Sequence, residues 1–369
     1  YSTEPTFSYK IDNPCRADLT CIIKNKYGKV EMSTSFSSNH NFSKGFFYVA
    51  DGTFNFYDTE KKTAYQDCYA SLNAGKTLGI GNYDSANIIH SNGKFYLLVG
   101  TSTSNRDHFY IVDAKTLYYE NSAVVGANLS GLTILNEQYG LVTGDGIRRI
   151  DLKSLNNVRI KNERLLCFYN SIIYNGKVLS NDTYKDESKV KYYDVNELIA
   201  AKEGEAPAVT ELDIIQKQKI NFVLAKDGNV YTLESADNGC NIVKIKNDFT
   251  LEKVFANFQP AKGPYHSSPT IGMVASETEN IIYLVSTDGA IYKYILGDSD
   301  SLKAPFIAAE SGVSITAPLQ LNQQSGELYV TYTEERKDES KIVVYSKDGK
   351  VLYTVDCGES VPSQILFNN

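Results

Sequence analysis

Apolar and polar positions alternate in short runs along most of the chain, and one composite phrase recurs. "HFYIVDAKTLYYEN" (108–121) has relatives in "FNFYDTEKKTAYQD" (54–67), "IRRIDLKSLNNVRI" (147–160) and "VKYYDVNELIAAKE" (190–203). In each, alternating large apolar residues predict a strand, Asp with a small polar group predicts a turn, and a second short strand follows. Asp suits the turn because its carboxylate accepts hydrogen bonds from backbone N–H groups just beyond it. Weaker copies occupy 241–255, 290–307 and 341–355. Aligned on the last apolar residue before the turn, the copies fall at Tyr57, Val112, Ile150, Tyr193, Ile245, Tyr294 and Tyr345. Their interval of roughly 40–55 residues, with strands only, is that of β-propeller blades.

Two further strand candidates precede most copies, such as "NIIHS" and "KFYLLVG" joined by Asn92-Gly93. Asp-Gly or Asn-Gly pairs begin at 51, 92, 145, 175, 227, 238, 288 and 348, each between two proposed strands, where a tight hairpin needs positive φ. Each unit therefore reads as a four-stranded antiparallel meander. The first copy lacks an inner strand, and "VPSQILFNN" at the end is a lone one. Closure solves both: residues 363–367 supply the innermost strand of the blade built from 45–70, and the ring hides its sheet edges. The expected fold is all-β, a seven-bladed propeller over 45–369. Residues 1–44 form an N-terminal hairpin or extension, "LTCIIKN" with "KVEMSTSF", which either caps the closing blade or begins an incomplete eighth. The one helical temptation is "VNELIAAKEGEA" (195–206), rich in Ala and Glu.

The stretch from "GFFYVADGTFNFYD" through "NYDSANIIHSNGKFYLLVG" to "HFYIVDAKTL", followed by "GLVTGDGIRRIDLKSL", resembles the opening blades of YVTN-type propellers of Bacteroidetes surface lipoproteins. The likeness is clear over 45–155 and architectural beyond. It implies a cell-surface or periplasmic protein, lipid-anchored upstream of Tyr1, in a group that includes corrinoid-capturing proteins seated over an outer-membrane transporter. Its motifs build blades and carry no chemistry.

Composition narrows the functional classes. A hydrophobic share of 42% supports a packed core, and 27 Tyr with 16 Phe and no Trp favour strands. The formal charge of −7 argues against a nucleic-acid partner. Apolar runs such as "ENIIYLVS" fall short of the ~20 residues a membrane helix needs. The chain opens at Tyr1 without Met and is read as a processed or truncated product. The six cysteines (15, 21, 68, 167, 240, 357) are spaced too widely for a zinc knuckle or redox pair. A disulfide involving Cys15 and Cys21 stays open beside buried free thiols.

No constellation of catalytic residues stands out. His40, His90, His108 and His266 show no metal-ligand spacing. "GDSDS" (297–301) lacks the Gly and Glu of a calcium loop and reads as a solvated turn. Gly75-Lys76-Thr77 lacks the rest of a phosphate loop. No metal, no cofactor and no catalysis are expected. Propeller sites form where between-blade loops and second-to-third-strand loops converge on the channel. There the sequence offers Tyr83, Asp84, Arg106, Asn128, Tyr169, Tyr265 and His266, aromatic faces beside hydrogen-bonding groups. The expectation is a monomeric, non-catalytic protein binding a small polar ligand, such as a corrinoid or a glycan, on that face. A protein–protein adaptor and a metal-dependent lyase or hydrolase are the alternatives.

Overall fold

The computed structural model describes residues 16–25, 28–37, 41–73, 78, 87–100, 107–126, 129–144, 146–161, 171–181, 188–205, 207–216, 221–261, 272–334 and 339–368. They form seven antiparallel blades. In order from the inner strand outwards, the first blade is Pro362–Leu366, Gly45–Ala50, Thr53–Asp58 and Thr63–Tyr65. The second is Asn87–Ser91, Lys94–Val99, Asp107–Asp113 and Tyr119–Gly126. Leu129–Ile134, Tyr139–Gly144, Gly146–Asp151 and Asn157–Lys161 make the third. The fourth holds Ile172–Tyr174, Lys177–Asn181, Ser188–Asp194 and Val209–Gln216. In the fifth they are Val223–Leu224, Val230–Ala236, Gly239–Ile245 and Leu251–Phe258.

The last two blades depart from the simple meander. In the sixth, Met273–Ala275, Ile281–Val285 and Ile291–Ile295 form the ladder, and the fourth place is held only by an Ile291–Ile307 bridge. The seventh has an inner strand split into Val313–Ile315 and Gln320–Leu321, around Pro318, which has no N–H to give the ladder. Leu328–Glu334, Ser340–Tyr345 and Val351–Gly358 complete it. All seven aligned residues, from Tyr57 to Tyr345, lie in third strands.

Blades stack face to face, so their second strands are buried on both sides and read as continuous apolar runs rather than alternations. "FFYVA" (46–50), "FYLLV" (95–99) and "IIYLV" (281–285) are fully buried. Among the described residues there are seven apolar clusters, one at each blade interface. At the first-to-second interface Phe47 meets Phe95 edge-on at 5.3 Å. At the seventh-to-first, Phe46 meets Tyr329 at 5.0 Å.

The closing strand pairs as expected, Phe47 with Leu366, Tyr48 with Ile365 and Val49 with Gln364. The N-terminal hairpin is a separate two-stranded sheet, Arg16–Asn25 with Gly28–Ser37. It joins no blade ladder, so there is no eighth blade among the described residues.

The recurring Asp does what the sequence suggests. Asp113 Oδ1 accepts from the Lys115 and Thr116 amides (3.1 and 2.7 Å) and the Thr116 hydroxyl (2.7 Å). Asp151 repeats this with Lys153 N, Ser154 N and Ser154 Oγ (3.0, 2.7 and 2.9 Å). In "DAKTL" and "DLKSL" the final Leu117 and Leu155 take positive φ (57° and 58°) and are buried. In the fourth blade the same Asp starts the helix Val195–Ala200, with Asp194 Oδ1 capping Asn196 N and Glu197 N (2.8 and 3.2 Å). A second short helix, Cys68–Leu72, was not expected from the sequence. Two turn types recur among the described glycine pairs. Asn92 and Gly93 both have positive φ (51° and 69°), a two-residue hairpin. At Asp288-Gly289 only the glycine does (84°), its N–H donating to Ser286 O at 2.9 Å.

The Lys177 ammonium, with the capped amides, holds Asp194 below the usual carboxylate range. Such a group contributes stability that is present above the ordinary carboxylate pKa and lost as pH falls through the depressed one. Asp194→Ala is therefore expected to cost ~1 kcal/mol at neutral pH. Denaturant titrations of variant and parent should converge in acid.

Candidate ligand-binding face

Strand direction alternates through each blade, so the ends of second strands and the beginnings of first and third strands share one rim. That rim carries the between-blade and second-to-third-strand connections. The opposite rim carries the Asp-capped turns at 58, 113, 151 and 194. The seven candidates fall in connections of the first rim, and all of them, Tyr83, Asp84, Arg106, Asn128, Tyr169, Tyr265 and His266, lie outside the described residues.

What the structure does place there is a polar seam that fixes the blades beneath these connections. Asn181 Nδ2 donates to Gln216 Oε1 (2.6 Å), and Gln216 Nε2 donates to Thr232 Oγ1 and Leu233 O (both 3.0 Å). Thr232 Oγ1 donates to Asn221 O (3.1 Å). Asn221 then bonds Met273 in both directions, to its O at 2.7 Å and from its N at 3.1 Å. The seam crosses from the fourth blade to the sixth. Asn181, Gln216 and Thr232 are buried, so the seam is shielded from water and strong. Burial of Asn181 and its bond to Gln216 give it a structural role. The available signal was a polar residue ending an apolar strand. On the same rim, the buried Asp107 carboxylate accepts from Leu129 N, tying the second blade to the third.

The remaining chemical groups are quiet. His90 ends an inner strand, but its ring packs on Phe95 (5.1 Å) and its Nε2 is buried without a hydrogen-bond partner. Burial lowers its pKa and keeps the imidazole neutral. His108 stacks on Tyr110 at 6.0 Å. Burial pushes the thiols of Cys68 and Cys357 up to about 12 and that of Cys240 to about 11, far from a reactive thiolate. These three are free; Cys15 and Cys167 lie outside the described residues, as does the Cys21 side chain. The Gly75–Thr77 run, His40 and His266 also lie outside them. Asp298 caps a 3-10 turn through Asp300 N (3.0 Å), the solvated turn expected of "GDSDS". Among the described residues no three His, Cys, Asp or Glu side chains gather to hold a metal ion. No described helix is long and apolar enough to cross a membrane.

One family, described as "Domain of unknown function (DUF5074)", matches residues 42–368. The chain belongs to that family. None of the curated proteins matches this DUF5074 propeller. Its structure is similar to the crystal structure of a quinoprotein alcohol dehydrogenase-like protein from Bacteroides thetaiotaomicron VPI-5482. The two are 99% identical with a TM-score of 0.94, over 100% of this chain and 89% of that one. That organism fits the resemblance to Bacteroidetes propellers. A functionally unknown protein from Desulfotomaculum acetoxidans DSM 771 shares the fold at 13% identity and a TM-score of 0.56, over 88% of this chain and 98% of that one.

Proposed function

We propose that this propeller is a non-catalytic binding protein of the cell surface or periplasm. It captures a small polar ligand, of corrinoid or glycan type, on the rim of unequal connections. The observation that carries this reading is the contrast between the two rims. On one, repeated Asp carboxylates are taken up by their own turns, as at Asp113 and Asp151. On the other, a buried polar seam fixes the ends of the strands that the unrepeated, Tyr-bearing connections join. A rigid support under variable loops is how scaffolds hold a binding site.

The name of the Bacteroides relative points to a redox quinone and alcohol oxidation as another reading.

A thermal-shift panel of corrinoids, haem and glycans tests the proposal. One class should raise the melting temperature, by about 2.7 kcal/mol of stabilisation at a hundredfold excess over Kd. No shift from any of them, together with metal- or quinone-dependent turnover, would overturn it.

A further inference from the structure

The closing strand completes the first blade and is also laid along the inner hairpin of the second. At one level Gln364 Nε2 donates to Ile88 O (2.8 Å). At the other, Asn368 Nδ2 donates to Ala114 O (2.7 Å), and Ala114 N is bonded to Gly93 O of that hairpin (2.9 Å). Between these anchors Leu366 is buried in the cluster shared by the first two blades. Ile88 belongs to the same cluster, and alternate strand positions share a face, so His90 faces the first blade as well. Its ring packs on Phe95 at 5.1 Å, and Phe95 meets Phe47 of the first blade at 5.3 Å. His90 therefore stands between the levels of the two anchors, on the face that the closing segment covers. Its Nε2 is buried with no hydrogen-bond partner among the described residues. A neutral imidazole tolerates this, whereas an imidazolium carries two N–H donors and a charge that must be met. The titratable members of the cluster are phenols and one thiol: Tyr65, Cys68 and Tyr69, with Tyr110, Tyr118 and Tyr119 at its margin. Lys94, on the adjoining strand, alternates to the other face and pairs with Glu120. Asp58 and Asp113 follow the third strands of the two blades and cap their own turns.

We infer that His90 is an acid-sensitive latch on the ring: once protonated, it loosens the closing segment from the second blade. The imidazolium has to reach water, and the element that gives way is the one least tied. Lys94–Val99 is bonded to a strand on each side, and the strand of His90 is held to it by the Asn92-Gly93 hairpin. The closing strand Pro362–Leu366 is bonded on one side only and joins its blade from the far end of the sequence. Segments with such single-sided support open below the global unfolding free energy. Burial holds the His90 pKa below its ordinary value. A base shifted that way contributes stability that is fully present above the unfolded pKa of ~6.5 and is lost as pH falls toward the lowered one. The latch acts whether or not the rim of connections holds a ligand.

Hydrogen exchange read by mass spectrometry tests this on the full 369-residue chain, with rates normalised to intrinsic exchange at each pH. Between about pH 7.5 and about pH 5, peptides covering 361–368 should exchange several-fold faster, with a ceiling of about 30-fold set by the unfolded pKa of ~6.5. Peptides covering 281–285, in the sixth blade, should keep their protection. His90→Gln and His90→Leu, one polar and one apolar, should each abolish the acid response, and either serves if the other fails to fold. A closing segment in the parent that exchanges no faster in acid would overturn the inference. So would an acid response that persists in a folded His90 variant. An equal response at 281–285 would also overturn it, because acid would then be unfolding the whole ring.

Discussion

Deleting residues 361–369 is expected to leave an insoluble chain or one that melts far below the intact protein. The segment touches three blades at once. It forms the inner strand of the first blade, pairing with Phe47, Tyr48 and Val49. Phe367 meets Tyr329 of the seventh blade edge-on at 4.9 Å. Gln364 Nε2 and Asn368 Nδ2 donate to Ile88 O (2.8 Å) and Ala114 O (2.7 Å) of the second. Ile365 and Leu366 are buried in the clusters on either side of the first blade. Removing large buried apolar side chains costs ~2–5 kcal/mol each, so losing these two, with the half-buried Phe367, reaches the lower part of the ~5–15 kcal/mol that holds a typical domain together. The cut also bares the edge of Gly45–Ala50, a template for aggregation. Thermal melts of the two forms decide it; equal melting temperatures would mean the ends are not paired.

Much of this fold was legible because blades repeat their turn chemistry. An Asp that must accept amides two and three residues on leaves the same mark at 113 and 151, and the third strands are found by aligning on it. The lone strand at the end and the missing one at the start then demand closure. Where local geometry replaces the repeat, the text is silent. The sixth blade fills its outer place with a run that touches the ladder at Ile307, and its 3-10 turn capped by Asp298 resembles any other turn in one dimension. The helix Cys68–Leu72 starts from Asp67 at φ 41°, a conformation with no composition signal. The seam from Asn181 to Met273 joins residues far apart in the chain and leaves no local pattern. The candidate site is less legible for the same reason: an unrepeated residue in a connection has no copy to be compared with.

The Asp turns and the Tyr-bearing connections lie on opposite rims, so exchanging the site of mutation separates the two. Asp113 holds its own turn, and Asp151 its own turn with Gln138 Nε2 (3.4 Å); replacing both by Ala should lower stability by ~1 kcal/mol each while leaving ligand affinity unchanged. Tyr83 and Tyr265 sit in connections of the other rim. Loop substitutions there should change stability by little more than ~0.5 kcal/mol. Two stacked rings contribute ~0.5–1.5 kcal/mol each beyond their area, so losing both should weaken binding at least about tenfold. The direct measurement is titration calorimetry of the ligand found by thermal shift against three proteins: the parent, Tyr83→Ala/Tyr265→Ala and Asp113→Ala/Asp151→Ala. Capture by the rim of connections predicts a raised Kd for the tyrosine pair alone. An unchanged Kd for that pair, or an equal loss from the turn pair, would contradict it.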